Sequence, residues 1–465
     1  MKKALYILVT ILFISCSSYK EQLDELFSNI STQTEFNGLV YVEKNNQIIY
    51  NNHIISDKVP TKILQQDSKI YLASLTKLFT EIVVLKLIEE GKLNLKNTIS
   101  DYRTNFKPTY GKVLTIENLL NMSSGLPREL DSDNLMNSLK FDKNGFAGSF
   151  LDSIPNMELS FKPGSNYEYS NLNYWLLGGI IEKVSGLNLG QAFSKYIFQP
   201  LEMSNSGYSL NPTDKIIGYK KDKNQWVVDQ TNYNIRYASG GAYSSMEDLI
   251  KLSKSLRNNT FLNEDSLRQL FGKNDLIEVY GSLPSFTNMI YINREENVSI
   301  VLLNNIGVPD LAKVSEMKED VTNILGIKPP KATKSKNKIT LLNVANLNDS
   351  IPAEKGMKDW AEAILEGNKT KMNSVFNAYA VPEGKMKLSD PTWDELIRIK
   401  KEWPNFRVYG YRWVEDQNPK GIELWLRCDG GQRIALQWVM ENKEGKTMAL
   451  FVKPDNMTWL GQEFK

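Results

Sequence analysis

A long apolar segment that opens on a serine constrains the fold of this chain most. Residues 78–90 read LFTEIVVLKLIEE, and with the residues before them they predict a helix from about Ser74 to Glu90. Gly91 follows in the position where a left-handed residue ends a helix. The first turn of this helix is therefore predicted to lie among apolar neighbours.

Shorter segments on both sides of this helix alternate between strand and helix patterns. Residues 38–42 and 47–50 are apolar runs separated by a polar turn, which predicts a β-hairpin. Residues 280–305 predict two or three further strands, and helical periodicity occurs at residues 19–29, 116–121, 173–184 and 246–256. The mixture predicts an α+β fold.

A polar, basic and turn-rich stretch at residues 329–338 (PPKATKSKNK) is the predicted linker between two domains. Beyond it, helical periodicity through residues 357–376 gives way to strand patterns at residues 407–413, 422–428, 433–440 and 448–453. Helices followed by sequential strands predict a small α+β domain, residues 339–465, with an antiparallel sheet. In pattern alone this domain resembles the cystatin-like or NTF2-like class.

The first residues have the pattern of a bacterial secretion signal. Lys2 and Lys3 precede the apolar run ALYILVTILFI, which is too short to span a bilayer. Residues 13–16 (FISC) resemble a lipobox, and the resemblance implies cleavage before Cys16 and lipid attachment to its thiol. Residues 1–15 are then a signal peptide and residues 16–35 an anchor with a short helix. The protein is thus expected in the cell envelope, on the periplasmic or surface side of a bacterial membrane; the alternative is an ordinary signal peptide with a chance cysteine.

The scarcity of histidine and the balanced charge exclude several classes of protein. Fifty-six Lys and Arg residues against 54 Asp and Glu residues give no broad electrostatic footprint for nucleic acid, so no nucleic-acid partner is expected. A Ser-His-Asp triad, and most zinc or iron sites, need more than the single His53 supplies, so no metal or cofactor is expected. His53 itself is expected in an exposed loop. Cys428, left without a partner if Cys16 is lipidated, is expected to be a small core residue.

A serine can also be activated by a lysine held close to it. The pattern Ser-x-x-Lys puts both side chains on one helix face, but it occurs four times in the chain. Only Ser74 and Lys77 open the apolar helix, whose neighbours desolvate the amine and so lower its pKa, as a general base requires. The positive end of the helix would also favour a developing anion at Ser74. The alternative is that Ser74 merely caps the helix and Lys77 is solvated in its first turn.

A tyrosine and an asparagine in Tyr169-Ser170-Asn171 form the second candidate element. Tyr-x-Asn occurs three times, but only this copy lies between a turn (FKPGS, residues 161–165) and an apolar helix. A phenol beside a lysine can pass a proton to a leaving group, and an amide can orient a substrate carbonyl. The alternatives are an ordinary packed aromatic at Tyr169 and a helix cap at Asn171.

With these two motifs, the chain resembles the serine β-lactamase and penicillin-binding-protein superfamily, closest to its class C-like and family VIII esterase-like branch. Further landmarks are KLIEEGKL at residues 86–93, LLNMSSGLP at 119–127, PLEM at 200–203 and GGAYSSMEDL at 240–249. The resemblance implies that residues 36–328 form a β-lactamase/transpeptidase-like domain, with an antiparallel sheet flanked by helices in three layers. It also implies that Ser74 is acylated, that Lys77 is its base, that Tyr169 is the acid/base partner and that Asn171 binds substrate.

The third motif of the superfamily departs from its usual form in this chain. Val279-Tyr280-Gly281 stand where a Lys-Thr-Gly or His-Thr-Gly sequence is expected, so the cation that helps to hold a substrate carboxylate is missing. Gly281 and Ser282 are still expected to bind substrate, because the backbone N–H of Ser282 can pair with that of Ser74 as an oxyanion hole. Ester or amide substrates without that carboxylate are favoured over β-lactams.

The predicted function is a lipid-anchored serine hydrolase that acts through an acyl-enzyme on a small-molecule or peptide substrate. The alternative, which the altered third motif keeps open, is a catalytically impaired scaffold that binds envelope peptides or proteins. A further hypothesis assigns substrate recognition to the C-terminal domain through Trp413, Trp425 and Trp438. Its alternative, that these tryptophans fill a small core, is favoured because they lie in apolar strands.

Overall fold

The structure, a computed structural model, describes residues 19–327 except 57, 60–63, 105, 128–144, 148–153, 155, 209–215, 223–224, 230, 232 and 308–310. In the C-terminal part it describes scattered helical positions between residues 355 and 378 and four strands between residues 407 and 454. The chain divides into two compact units, Met1–Lys331 and Ala332–Lys465.

A five-stranded antiparallel sheet forms the centre of the first unit, with the strand order β2-β1-β9-β8-β7. Its strands are β1 (Asn37–Lys44), β2 (Gln47–Ile55), β7 (Leu276–Leu283), β8 (Phe286–Asn293) and β9 (Val298–Asn304). Two small pairs join β3 (Ile70–Tyr71) to β6 (Tyr243–Ser244), and β4 (Gly218–Asp222) to β5 (Gln225–Asp229). The predicted hairpin and the strands after residue 276 are thus part of one sheet.

Helices cover both faces of this sheet. They are α1 (residues 19–33), α2 (Thr76–Glu89), α3 (Ile99–Tyr102), α4 (Ile116–Leu120), α5 (Asn171–Ser185), α6 (Leu189–Phe193), α7 (Met246–Arg257), α8 (Glu264–Phe271) and α9 (Leu311–Ile324). Short 3₁₀ turns include Ala73–Leu75 and Tyr233–Ser239. None of the helices in the described part of the chain is long and apolar enough to cross a membrane.

The alternation along β1 explains the three layers. Leu39 and Tyr41 point to the large core that contains α2 and α5, whereas Val40 and Val42 point to a second core. The second core also contains Leu23 of α1 and Val314 of α9. Successive side chains of a strand face opposite sides of its sheet, so a strand that is apolar on both faces requires cover on both faces. The predicted antiparallel sheet flanked by helices is confirmed.

The second unit contains a four-stranded antiparallel sheet in sequential order. Its strands are β10 (Arg407–Val414), β11 (Gly421–Arg427), β12 (Arg433–Met440) and β13 (Thr447–Pro454). These bounds agree with the predicted strands to within one residue at each end. Cys428 lies outside the described residues, and the linker at residues 329–338 does too.

Candidate active site

The sequence had predicted Ser74 in the first turn of the helix, but the structure places it in a strained turn before the helix. The 3₁₀ turn Ala73–Leu75 connects β3 to α2, which begins at Thr76. Ala73 has a φ of 53°, a left-handed conformation that costs a non-glycine residue about 1–3 kcal/mol. A backbone hydrogen bond of 2.9 Å from Leu72 N to Ala242 O helps to hold the turn in place. The turn leaves the Ser74 side chain half-buried at the edge of the helix layer.

Lys77, one turn into α2, directs its amine at Ser74. The side chain is only 5% exposed. Its Nζ donates to Ser74 Oγ at 3.1 Å, to Asn171 Oδ1 at 2.8 Å and to the Ser239 carbonyl at 2.7 Å. An ammonium group can make these contacts with its three donors, and a neutral amine can make them by donating to Asn171 and the Ser239 carbonyl while it accepts from the Ser74 hydroxyl. The structure thus excludes the alternative of a solvated Lys77, and Ser74 does not cap the helix because the N-cap is Leu75.

Tyr169 approaches Ser74 from the side of α5. Its Oη lies 2.8 Å from Ser74 Oγ, and Lys77 Nζ lies 4.9 Å from the centroid of its ring. The segment that carries Tyr169 is fixed by Glu168 N to Met122 O at 2.9 Å and by Ser170 Oγ to Pro127 O at 2.7 Å. The landmark at residues 119–127 therefore holds Tyr169 over the serine, and the hydroxyl of Ser74 contacts both an amine and a phenol.

Asn171 is the first residue of α5 and not its cap. Ser170 occupies the N-cap position, while the side-chain oxygen of Asn171 accepts from Lys77. The Asn171 side chain is partly exposed, so it borders the space above the serine. Of the predicted residues, Ser74, Lys77, Tyr169 and Asn171 thus form one hydrogen-bonded group.

Strand β7 passes directly against the turn that carries Ser74. A Cβ on Gly281 would lie 2.2 Å from the Leu72 carbonyl oxygen and 3.1 Å from Ala73 Cβ, so only glycine allows this approach. Ser282 follows as an exposed residue of the same edge strand. The positions of both residues in β7 are compatible with the predicted oxyanion role.

The side chains at the third-motif position are apolar or are directed elsewhere. Val279 packs against the core that contains α2. Tyr280 donates to Glu278 Oε1 at 2.6 Å and lies 3.2 Å from Ser315 Oγ of α9, on the other side of the sheet. Neither side chain supplies a cation to the space above Ser74.

The carbonyl of Ser239 is also part of the site, and the sequence did not predict it. It accepts from Lys77, and its segment is fixed by Trp175 Nε1 to Ser239 Oγ at 2.9 Å and by Thr80 Oγ1 to Ala238 O at 2.7 Å. Tyr237 in this segment has φ 49° and ψ −138°, a conformation that persists only where the surroundings impose it. The landmark at residues 240–249 follows this segment directly and was its only sequence signal.

His53, another residue that the sequence singled out, lies away from this group. His53 is not in an exposed loop: it is a half-buried residue of β2, paired with Leu39, and its ring lies 3.3 Å from Asn37 Oδ1. Burial lowers the pKa of His53. Cys16 lies outside the described residues. Within the described ranges there is no group of three or more His, Cys, Asp or Glu side chains that could hold a metal ion.

The chain matches a family model and is similar to several known proteins. The family model described as Beta-lactamase matches residues 23–282. Protein flp of Staphylococcus aureus is 29% identical over 333 residues, which cover 64% of this chain and 65% of that protein. Penicillin-binding protein 4* of Bacillus subtilis is 27% identical over 271 residues, 54% of this chain and 59% of that protein. The chain thus spans less than two thirds of the length of these relatives.

A solved structure gives the same result for the fold. EstCE1, described as a hydrolase with promiscuous acyltransferase activity, superimposes with a TM-score of 0.54 at 17% identity, over 67% of this chain and 99% of that one. The fold and the site define a β-lactamase-fold protein related to penicillin-binding proteins. This chain belongs to the beta-lactamase family, whose fold is that of serine hydrolases.

Proposed function

We propose that the protein is a cell-envelope serine hydrolase that forms an acyl-enzyme at Ser74 with ester or amide substrates. The observation that carries the proposal is the position of Ser74 Oγ, 3.1 Å from Lys77 Nζ and 2.8 Å from Tyr169 Oη. A nucleophile within hydrogen-bond reach of a base, which is itself oriented by other groups, is the arrangement that covalent catalysis needs. Here Asn171 and the Ser239 carbonyl orient the base.

The reaction follows from these contacts. Ser74 Oγ bonds to the acyl carbon of the substrate while its proton passes to the neutral amine of Lys77. The bond from the acyl carbon to the leaving group then breaks, and Tyr169 relays a proton to that group. Water attacks the acyl-enzyme in the second half of the cycle, and its proton restores the Ser74 hydroxyl. The backbone N–H groups of Ser74 and Ser282 donate hydrogen bonds to the oxyanion in both halves of the catalytic cycle.

Esters and amides are preferred to β-lactams in this proposal because of Val279. An apolar side chain at this position offers no ion pair to the carboxylate of a β-lactam. Binding of a β-lactam is weakened because charge-assisted hydrogen bonds are stronger than hydrogen bonds between neutral groups. The name of the hydrolase EstCE1 and the fold shared with it agree with acyl transfer outside β-lactam chemistry.

The proposal is tested by turnover of a panel of acyl donors with the full-length protein in detergent. We expect hydrolysis of a para-nitrophenyl ester, with a burst of para-nitrophenol equal to the enzyme concentration if deacylation is slow, and little hydrolysis of nitrocefin. The variant Ser74→Ala should remove the ester hydrolysis. Equal hydrolysis by Ser74→Ala and wild type would refute the assignment of the nucleophile.

A second candidate function, a scaffold that binds envelope peptides or proteins without hydrolysing them, is favoured by one observation. The third-motif cation is replaced by Val279, and Tyr280 is engaged on the far side of the sheet. The scaffold predicts that no ester, amide or β-lactam is turned over, although a peptide ligand still binds above Ser74. The two functions therefore differ in the panel described above.

We further propose that Cys16 carries the lipid that holds the protein to a bacterial membrane. The lipobox-like residues 13–16 support this proposal. The variant Cys16→Ser should move the protein from the membrane fraction to the soluble fraction and abolish labelling by an alkynyl fatty acid. The matched control is Cys428→Ser, which removes the other cysteine and should change neither. Membrane association that survives Cys16→Ser would refute lipidation as the tether.

A further inference from the structure

Asn288, a fully buried residue of β8, lies against the chain that leads into the turn of Ser74. It is 0% exposed, and the four residues that follow it in the strand (MIYI, residues 289–292) are largely apolar. Burial of an amide costs free energy unless its polar atoms have hydrogen-bond partners. An asparagine at such a position therefore indicates that its hydrogen bonds are needed there.

Both ends of the Asn288 amide are hydrogen-bonded to the backbone. Its Nδ2 donates to the carbonyl oxygen of Tyr71 at 2.9 Å, three residues before Ser74. Its Oδ1 accepts from the backbone N–H of Asn304, the last residue of β9, at 3.1 Å. The side chain thus joins the segment in front of the nucleophile to two strands of the large sheet.

The turn that carries the nucleophile needs such support because of its backbone conformation. Ala73 has a φ of 53°, and a non-glycine residue keeps this conformation only where the surroundings impose it. The hydrogen bond from Leu72 N to Ala242 O, 2.9 Å long, holds the turn from one side. The bond from Asn288 to the Tyr71 carbonyl holds the preceding peptide from the side of the sheet.

Asn288 is also the partner of Gly281 in the pairing of β8 with β7. Gly281 is the residue of β7 that approaches the turn, since a Cβ on it would lie 2.2 Å from the Leu72 carbonyl oxygen. Ser282, the predicted second oxyanion donor, follows directly. One side chain therefore holds the turn of Ser74 and lies beside the strand that carries the other donor.

We infer that Asn288 is a positioning residue that sets the spacing between the backbone N–H groups of Ser74 and Ser282, the proposed oxyanion hole. The inference rests on the proposed function and deepens it, because Asn288 acts through the turn and through β7 rather than on the substrate. Donors stabilise a transition state when their positions are fixed before the reaction. Loss of the bond to Tyr71 should therefore slow acylation and leave binding of the substrate nearly unchanged.

The variant Asn288→Ala tests this role in the full-length protein in detergent. We measure the rate at which a fluorophosphonate labels Ser74, together with kcat and KM for a para-nitrophenyl ester. The labelling rate and kcat should each fall by about tenfold or more, because small displacements of reacting groups are costly, whereas KM should change by less than about twofold. Asn288→Ser, whose side chain is one bond shorter than that of asparagine, takes its place if Asn288→Ala does not fold.

The matched control is Asn293→Ala, at the other end of the same strand. Asn293 is 4% exposed, and its amide is also bonded at both ends: Nδ2 donates to Tyr291 Oη at 3.2 Å and Oδ1 accepts from Glu296 N at 2.9 Å. We expect similar losses of Tm in the two variants and slower labelling only in Asn288→Ala. Equal losses of labelling rate in both variants, a rise in KM without a fall in kcat, or unchanged labelling of Asn288→Ala would overturn the inference.

Hydrogen exchange distinguishes failure of this inference from failure of the proposed function, because it requires no reaction at Ser74. Exchange is followed by mass spectrometry in the peptide that contains the N–H groups of Leu72 and Leu75, which donate to Ala242 O at 2.9 Å and to Leu72 O at 3.2 Å. Faster exchange there in Asn288→Ala, but not in Asn293→Ala, supports the inference even if no probe acylates the wild type. Unchanged exchange in Asn288→Ala would overturn it even if Ser74 is labelled.

Discussion

Replacing Gly281 by alanine should slow acylation of Ser74 far more than it destabilises the protein. The added Cβ would lie 2.2 Å from the Leu72 carbonyl oxygen and 3.1 Å from Ala73 Cβ. An ordinary contact begins at 3.4 Å, so β7 and the turn must separate by about 1 Å. A displacement of about 1 Å at reacting groups can cost about 100-fold in rate, whereas overpacking costs about 1–3 kcal/mol of folding free energy.

The assay is the rate at which a fluorophosphonate labels Ser74, measured together with the thermal unfolding midpoint. The matched control is Gly190→Ala, whose Cβ would lie 2.5 Å from the Tyr208 carbonyl oxygen. This is a comparable backbone clash in α6, with no contact to the turn at Ser74. We expect similar losses of Tm in both variants and a reduced labelling rate only in Gly281→Ala. If Gly281→Ala is labelled as fast as the wild type, the close approach of β7 does not position the nucleophile.

Three further predictions concern Tyr169, Asp229 and Arg257. Tyr169→Phe removes the 2.8 Å contact with Ser74 Oγ but keeps the ring over Lys77, and we expect the rate of ester hydrolysis to fall by about 10²-fold or more while Tm stays within a few degrees. Burial by itself would raise the pKa of Asp229, but hydrogen bonds from Ser285, Thr231, Tyr233 and Lys220 outweigh it and hold the pKa well below its usual value. The ionised Asp229 carboxylate therefore stabilises the folded state fully above the unfolded-state pKa of about 4, and this stabilisation is lost as the pH falls toward the folded-state pKa. When Tm is measured across acid pH, we expect Asp229→Asn to be less stable than the wild type at neutral pH and to lose less stability in acid. Arg257→Met removes the buried cation that pairs with Glu43 and leaves it the Tyr41 hydroxyl and the half-exposed Lys254 amine at 3.5 Å. It should lower the free energy of unfolding by about 3 kcal/mol in denaturant titrations, with a smaller loss in the double variant that also carries Glu43→Gln.

The group around Ser74 could be selected from the sequence because each motif carries its own local context. Ser-x-x-Lys occurs four times, yet only one copy opens an apolar helix, and burial of Lys77 follows from that helix. The strands of the C-terminal unit were also predictable, because alternating apolar residues and short polar turns determine strand bounds locally. The local sequence pattern is sufficient to predict a structural feature when a single segment of the chain determines that feature.

The remaining features depend on contacts between segments that are distant in sequence. No residue type marks the left-handed conformation of Ala73, which the packing of the turn imposes. Asn51 and Asn52 resemble a loop, but pairing with β1 extends β2 through them and half-buries His53. The acceptor at Ser239 is a backbone carbonyl, and every residue has one, so the sequence cannot identify which carbonyl meets Lys77.

We propose that Ser74, between Lys77 and Tyr169, is an activated nucleophile. Intact-mass analysis of the full-length protein after incubation with a fluorophosphonate and with an activated ester, from mildly acidic to alkaline pH, tests it most directly. We predict one covalent adduct per chain, located on the peptide that contains Ser74, and none in Ser74→Ala. An adduct that persists in Ser74→Ala, or no adduct with either probe at any pH, would contradict the claim, and the second result would favour the scaffold.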